Sequence, residues 1–485
     1  MPPDQPLVRA VVLAAGAGSR FGGRKLEARI AGRPILQHVL DALAEAGHDD
    51  PIVVLAPGSG QAPPIVWRSA RRVVNPEPNR GLSSSLQLGW AAARTADPSP
   101  DAVLIVLGDQ PRLTSDAIRA LVVAPLDRAR PIVAARYAAT GARNPVRIEP
   151  REVGDELVRR AEGDRGLGPI LDAHPELVRW VDIEGDNPDI DRREDLVAAI
   201  EADWADRVRR NREQVERLRE TGEDDDHYAP VAGLFRDDPR RSGDTILDAL
   251  LAVARPQETW LDVGAGGGRY AFPLALAVRE VIAVDPSPAM IEALHEGIRE
   301  YDLENVRVVT GRWPEAVANL APLPCADVAF IANVGHDTEA IGPFVAGLEA
   351  AAPLCVAVMQ EEPPAAAAAP FFEAVHAERR ISLPALPDFI DLLEARGATP
   401  SLEVFERPAR RWRSRDEVLT FLRRQTWVVP GSAGDQRLQD RLDALAITDD
   451  NGALILPTEG APSQVGILRW ESAGEQGGGR SSGQG

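Results

Sequence analysis

Short apolar runs divide the first two hundred residues at regular intervals, at 9–13, 51–56, 72–75, 102–107, 131–136, 145–148 and 178–183. Each is rich in Val, Ile, Leu or Ala, is too short for a helix and is bounded by turn residues, so each predicts a strand. Between many of them the pattern changes to a helical period, as at 34–46, where Ile35, Val39, Leu40 and Leu43 fall on one side. The alternation returns after residue 245, with a helix at 245–254 and strands at 259–263, 281–284, 306–310, 327–331 and 355–359; 402–405 and 464–470 can close the sheet as an antiparallel pair. The expected fold class is therefore α/β, with two doubly wound, mostly parallel sheets.

The segment between the two sets breaks the pattern. From Arg192 to about Arg219 it reads as one helix with Leu196, Ile200 and Trp204 on its apolar side, and beyond them it is so mixed in charge that it predicts a solvated connector. Gly222, Glu223, Asp224, Asp225 and Asp226 then read as a hinge, and 472–485 as a Gly/Ser-rich disordered tail. The expected organisation is a domain at 1–200, a charged helical linker at 201–227, a domain at 228–471, and the tail.

Composition narrows the partners. A length of 485 residues exceeds one ordinary core, and a net charge of −20 opposes nonspecific binding to nucleic acid or an anionic membrane. Two cysteines, Cys325 and Cys355, sit beside apolar runs and read as buried thiols. No signal pattern and no long uncharged span is present, so a cytoplasmic protein acting on small molecules is expected.

The chemistry concentrates where strands end. VVLAAGAGSRFGGRK at 11–25 runs from a buried strand into a loop whose glycines (Gly16, Gly18, Gly22, Gly23) leave N–H groups unshielded, with Arg20 and Lys25 adding positive charge. Such a loop suits a polyphosphate. It is neither a Walker loop, since Arg24 stands where the lysine is required, nor GxGxxG. NRGLSSSLQL at 79–88 reads as a helix start with Ser84 and Gln87 as a capping box, its free N–H groups also suiting a nucleotide. VLIVLGDQP at 103–111 places Asp109 at a strand end opposite the phosphate-type loop, the arrangement a Mg²⁺ ion requires. In DNPDIDRREDL at 186–196, Asp189 reads as an N-cap and Asp191 as a second metal contact.

LAAGAGSRFGGRK, GLSSSL, LGDQP, GDRGLGPIL and DIDRREDL, in this order, resemble the MobA-like NTP transferases, and most nearly their molybdopterin cytidylyltransferase branch. The resemblance implies nucleotidyl transfer, in which a substrate phosphate attacks the α-phosphate of an NTP and pyrophosphate leaves. It puts Leu13, Ala14, Ala15, Gly16, Gly18, Arg20, Lys25, Gly81 and Ser84 at the nucleotide, Lys25 and Asp109 in catalysis, and Asp109 with Asp191 on Mg²⁺. Alanine at position 15 goes with CTP rather than GTP in that family. Arg143, Asn144 and Pro145 replace the Gly-His-Pro of many relatives, which puts molybdopterin as acceptor in doubt. A molybdoenzyme is a candidate partner.

WLDVGAGGGR at 260–269 repeats the strand-then-glycine device with an acid, and the next strand ends in Asp285 followed by Ser287 and Pro288. An acid there suits a ribose diol. An NAD site would need a glycine where Arg269 stands, and its pyrophosphate would disfavour Asp262; the ammonium of S-adenosylmethionine favours that acid. The segment resembles a class I S-adenosylmethionine-dependent methyltransferase, which implies that Asp262, Gly264, Gly266, Gly268 and Asp285 lie at the cofactor. Trp313 is a candidate to stack on adenine or to pack in the core, and His336 is a candidate general base or a helix-start polar residue. Neither the proline-aromatic motif of DNA amino-methyltransferases nor Pro-Cys follows the fourth strand, so a small-molecule acceptor is expected. The full expectation is a bifunctional enzyme. The alternatives are that one domain is a non-catalytic nucleotide or S-adenosylmethionine sensor, or that the chain is a molybdenum-cofactor maturation chaperone for an oxidoreductase.

Overall fold

The computed structural model describes residues 6–16, 18, 20–59, 65–125, 129–220, 236–363, 365–407, 410–448, 452–456 and 463–472. The expected hinge at 222–226 and the tail beyond 472 lie outside these. The chain forms two compact units, Met1–Ala199 and Ile200–Gly485.

The first unit is built on strands β1 (Val8–Ala14), β2 (Ile52–Leu55), β3 (Arg71–Val74), β4 (Ala102–Leu107), β5 (Ile132–Tyr137), β6 (Val146–Ile148) and β7 (Val178–Ile183). They form one sheet in the order β3-β2-β1-β4-β6-β5-β7, and only β6 runs antiparallel to its neighbours. Alternation along β1 shows why the sheet is central. Val8, Ala10, Val12 and Ala14 enter one apolar layer, and Val11 and Leu13 enter the other. Both faces are covered by helices, so every position of the strand is apolar except Arg9.

The second unit uses β8 (Thr259–Val263), β9 (Glu280–Asp285), β10 (Val306–Thr310), β11 (Val328–Ala332), β12 (Leu354–Gln360), β13 (Ser401–Arg407) and β14 (Ser463–Glu471). The order is β10-β9-β8-β11-β12-β14-β13. The first five strands are parallel, and β14 enters antiparallel between β12 and β13. The strand order turns back on either side of β8, and ligands gather at the carboxyl ends at such a point. A separate helical cluster, Ala369–His376, Arg415–Thr426 and Ala433–Leu445, packs around Phe371, Trp412, Val418 and Leu438. Phe389 and Trp412 are buried packing residues. Both cysteines are free, and Cys355 is fully buried in β12.

The charged helix is not a solvated connector. It runs Arg193–Leu218, and from Trp204 onward one face is buried within the second unit. Trp204 Nε1 donates to the Thr338 carbonyl at 3.0 Å and Asn211 Nδ2 to the Ile381 carbonyl at 2.6 Å. Gln214 exchanges bonds with the backbone of Arg379 and Ile381, and Arg207 reaches Asp388. These positions recur every three or four residues, which is the helical period of a packed face. That face is polar at its tips and its partners are mostly backbone groups far away in sequence, so hydropathy alone missed it.

Candidate functional sites

In the first unit β1 delivers the glycine loop. The Gly18 carbonyl accepts the N–H groups of Phe21, Gly22 and Gly23 at 3.0, 3.1 and 3.1 Å, closing a tight knot. Gly22 and Gly23 sit at φ +92° and +95°, where a side chain would be strained although nothing crowds the space. Leu13, Ala14 and Ala15 have side chains sunk in the core, so only their backbone can face a ligand. Gly16 and Arg20 are exposed, and Arg20 makes no ion pair among the described residues.

Lys25 follows the knot on a single 3-10 turn, Lys25–Glu27. Its ammonium donates to Asp109 Oδ2 at 2.7 Å and to Asp191 Oδ1 at 3.1 Å, and its side chain is only 10% exposed. Burial alone would lower its pKa, but the two carboxylates outweigh burial and raise it. Asp109 reaches this point because Gly108 lets the end of β4 close on β1: the Gly108 N–H donates to the Leu13 carbonyl at 2.9 Å, and a Cβ there would stand 3.0 Å from that of Ala14. The Ile190 N–H donates to the Asp109 carbonyl at 3.1 Å, which carries Asp191 alongside. Lys25, Asp109 and Asp191 are thus brought together from three distant segments. Among the described residues no group of three or more side chains is arranged to hold a metal. Two carboxylates, with phosphate and water supplying the rest, is a donor set that suits Mg²⁺.

Two expectations nearby are corrected. Asp189 is not an N-cap: it accepts from Gln110 Nε2 at 2.8 Å, in a buried network with Asn187. Burial first, and then the charge of Asp109, push it up to about 6. The helix start is served instead by Asp195, whose carboxylate accepts the N–H groups of Asp191 and Arg192. Ser84 and Gln87 do not form a capping box. The helix Leu82–Arg94 begins after Gly81 without a side-chain cap, Ser84 Oγ donates to the Gly81 carbonyl at 2.8 Å, and Gln87 Nε2 donates to the carbonyls of Val158, Arg159 and Ala161. Gly81, at φ +93°, has a steric role: a Cβ would lie 2.6 Å from the backbone of Gly163, so the GDRGLG segment can dock on the helix start. Arg143 is engaged by Asp172.

In the second unit the ends of β8, β9, β11 and β12 open on a cleft of about 750 Å³. Asp262, Gly264, Gly266, Asp285 and Trp313 all line it. The Asp285 carboxylate accepts the Gly266 N–H through Oδ2 and the Ser287 N–H through Oδ1, each at 2.9 Å, tying the glycine turn to the end of β9. Ser287 caps the helix Pro288–Tyr301, its side chain accepting the Met290 N–H. Asp262 is fully buried, and burial followed by the charge of Asp285 pushes it up to about 8. Trp313 is both wall and core: its ring lines the cleft while Nε1 donates to the Phe344 carbonyl at 3.0 Å.

The structure sets two candidates apart from the cleft. Gly268 does not line it; a Cβ there would fall 2.3 Å from the Phe272 ring, so this glycine serves packing. His336 is not a lining residue either, since positive φ at Asn333 (54°) and Gly335 (94°) turns the chain so that Asn333, Asp337 and Thr338 face the cleft. Burial lowers the His336 pKa. Sequence reasoning missed Arg241 and Tyr270. Arg241 pairs with Asp244 at 3.2 Å, donates to the Arg269 carbonyl, lies over the Tyr270 ring at 5.8 Å and keeps a buried Nη2 without a partner among the described residues. The only signal was an arginine beside Gly243 just ahead of the helix Thr245–Val253.

Comparison with known proteins divides the chain in the same way. A family model for the MobA-like NTP transferase domain matches residues 10–178, and one for a methyltransferase domain matches 261–341. Nicotine blue oxidoreductase of Paenarthrobacter nicotinovorans is 30% identical over 205 residues, covering 40% of this chain and 96% of that protein. Phosphoenolpyruvate guanylyltransferase of Sphaerobacter thermophilus is 32% identical over 33% of this chain and 75% of its own length. Bifunctional protein GlmU of Paracidovorax citrulli is 33% identical over 24% of each, so the chain spans about a quarter of the length of that relative. Among solved structures, Rv0371c of Mycobacterium tuberculosis H37Rv matches with 26% identity over 41% of this chain and 99% of its own, at a TM-score of 0.35. The YcgJ protein of Bacillus subtilis matches with 17% identity over 48% and 100%, at 0.34. No helix among the described residues is long and apolar enough to cross a membrane.

Proposed function

We propose, for a chain that belongs to the MobA-like NTP transferases through its first unit and carries a methyltransferase domain in its second, that each unit catalyses its own transfer on a small molecule. In the first unit the reaction is nucleotidyl transfer from an NTP, with CTP favoured by Ala15, to a phosphorylated acceptor. The observation that carries this is the convergence of Lys25, Asp109 and Asp191 beside the glycine knot. Backbone N–H groups of the loop and the cations Arg20 and Lys25 face the triphosphate. Asp109 and Asp191 are the oxygen ligands on offer for Mg²⁺, which when bound would offset charge on the transferring phosphoryl group. The attacking phosphate is already a nucleophile, so positioning and charge carry the catalysis and no protein base is required.

In the second unit S-adenosylmethionine supplies the methyl group when bound. Gly264 and Gly266 bring bare backbone to the cleft, and the bonds from Gly266 and Ser287 hold the Asp285 carboxylate for a ribose diol. Asp262 offers an acid to the ammonium of the cofactor, and Trp313 a face for its adenine. Asn333 and Asp337, rather than His336, are the polar groups at the mouth for the acceptor.

Pyrophosphate release from CTP and GTP with phosphorylated acceptors, molybdopterin among them, tests the first reaction, and labelled-methyl transfer tests the second. A half that binds its ligand without turnover would be the sensor instead. The relative matched over 96% of its length is named an oxidoreductase, which favours one competing reading of the first unit: a site that holds a nucleotide cofactor or a molybdenum-cofactor precursor for an oxidoreductase. Oxidation of a reduced nicotinamide nucleotide, or capture of the precursor without pyrophosphate release, would select it.

A further inference from the structure

We propose that Lys25 is a place-holding cation: in the nucleotide-free protein its ammonium fills the divalent-ion seat between Asp109 and Asp191, and an incoming triphosphate draws it away, so that nucleotide and metal enter as one unit. The inference rests on the nucleotidyl-transfer reading and adds an order of assembly to it.

The geometry is that of a filled seat. One oxygen from each carboxylate lies at 2.7 and 3.1 Å from a single nitrogen, and the lysine side chain is nine-tenths buried. An ammonium is a compact point charge with three donors, so it satisfies the same pair of oxygens that a hard cation would. Removing the lysine alone would leave the Asp109 and Asp191 carboxylates facing one another without the cation between them. A bare divalent ion arriving without nucleotide must therefore displace a bound cation, whereas a polyphosphate offers that cation a stronger partner. The lysine is hung to make such a move. It follows Gly22, Gly23 and Arg24, all at positive φ, and sits on a single 3-10 turn rather than in a strand or long helix. A Cβ at Gly22 or Gly23 would meet nothing within 4 Å, so the knot is open on that side. The polyphosphate would approach along the same loop, within reach of the group that must move.

The test is titration of the full-length chain with Mn²⁺, reading free ion by electron paramagnetic resonance, with and without a non-hydrolysable CTP analogue and with correction for ion held by free nucleotide. Lys25→Met should bind Mn²⁺ at least about tenfold more tightly than wild type when nucleotide is absent, the scale of one lost charge competitor. Lys25→Gln should do the same, and Asp109→Asn in the Lys25→Met background should abolish the gain. With the analogue present the advantage should vanish or reverse, because the lysine then helps to hold phosphate. If both lysine variants bind Mn²⁺ no more tightly than wild type without nucleotide, while wild type binds it with nucleotide, the place-holder is refuted and the transferase reading stands. If no form binds Mn²⁺ under either condition, both fail.

Discussion

Asp262 gives the sharpest quantitative test of the second unit. Its carboxyl is fully buried at the end of β8 and is pushed up to about 8 from an ordinary 3.8, by burial first and then by the Asp285 charge. A raised acid in the folded form stabilises the protein fully below the unfolded value and loses that contribution as pH rises toward the folded value. Between about pH 4 and pH 8 the folded protein keeps a proton that the unfolded chain has released, and one such proton gives a slope of about 1.4 kcal/mol per pH unit. Going from pH 5 to pH 7 should therefore cost the second unit about 3 kcal/mol through this group alone. Asp262→Asn keeps the shape and removes the proton, so the difference between variant and wild type cancels the other titrating groups. Calorimetric melting of the full chain from pH 4.5 to 8.5, with the second-unit transition identified by its shift on adding S-adenosylmethionine, should show the variant gaining on wild type as pH rises. The gain should level off above about pH 8. Parallel profiles for the two proteins would refute the assignment of a buried neutral acid. The cofactor, being cationic at sulfur and nitrogen, should favour the ionised form, so binding near pH 7 should release a proton and its heat should depend on the buffer.

Three further outcomes are expected. Asp109→Asn should abolish pyrophosphate release while leaving the melting temperature near wild type, since the amide is a poor ligand for Mg²⁺; retained turnover would remove Asp109 from the metal. Asp285→Ala should weaken S-adenosylmethionine binding by about 1.5–3 kcal/mol, the scale of a hydrogen bond to a charged group, and an unaltered dissociation constant by calorimetry would contradict it. Gly81→Ala should destabilise the first unit by about 1–3 kcal/mol, because the residue is held at positive φ and its Cβ would strike Gly163; an unchanged melting transition for that unit would show that the docking of 163–165 is soft.

Much of this architecture was legible. The fourteen strands of the two large sheets fall where short apolar runs predicted them, several with the same bounds, and the central ones are the clearest because a strand covered on both faces must be apolar at nearly every position. Asp109 was singled out because a phosphate-type loop precedes it in the same sheet, and the structure brings it and Asp191 together at Lys25. What was not legible depended on partners distant in sequence. Asn211 and Gln214 look solvated until the carbonyls of 379–381 are laid against them. Asp189 looks like a cap until Gln110 reaches it. Gly268 has the same spacing as Gly264 and Gly266, and only the Phe272 ring separates its role from theirs. His336 was chosen by residue type, and the reversals of backbone hand just ahead of it, at Asn333 and Gly335, removed it from the cleft.

The position of β14 has a consequence for how the protein is made. This last strand lies between β12 and β13 and bonds to both, so neither can complete its ladder before residue 471 has left the ribosome. The first unit's sheet closes with β7, at residue 183, and its site is complete once Ile190, Asp191 and Asp195 have followed. Synthesis interrupted between Ala199, where the first unit ends, and residue 471 would yield a nucleotide-handling half that is finished and a methyl-handling half that is not, so premature termination silences the two chemistries unequally.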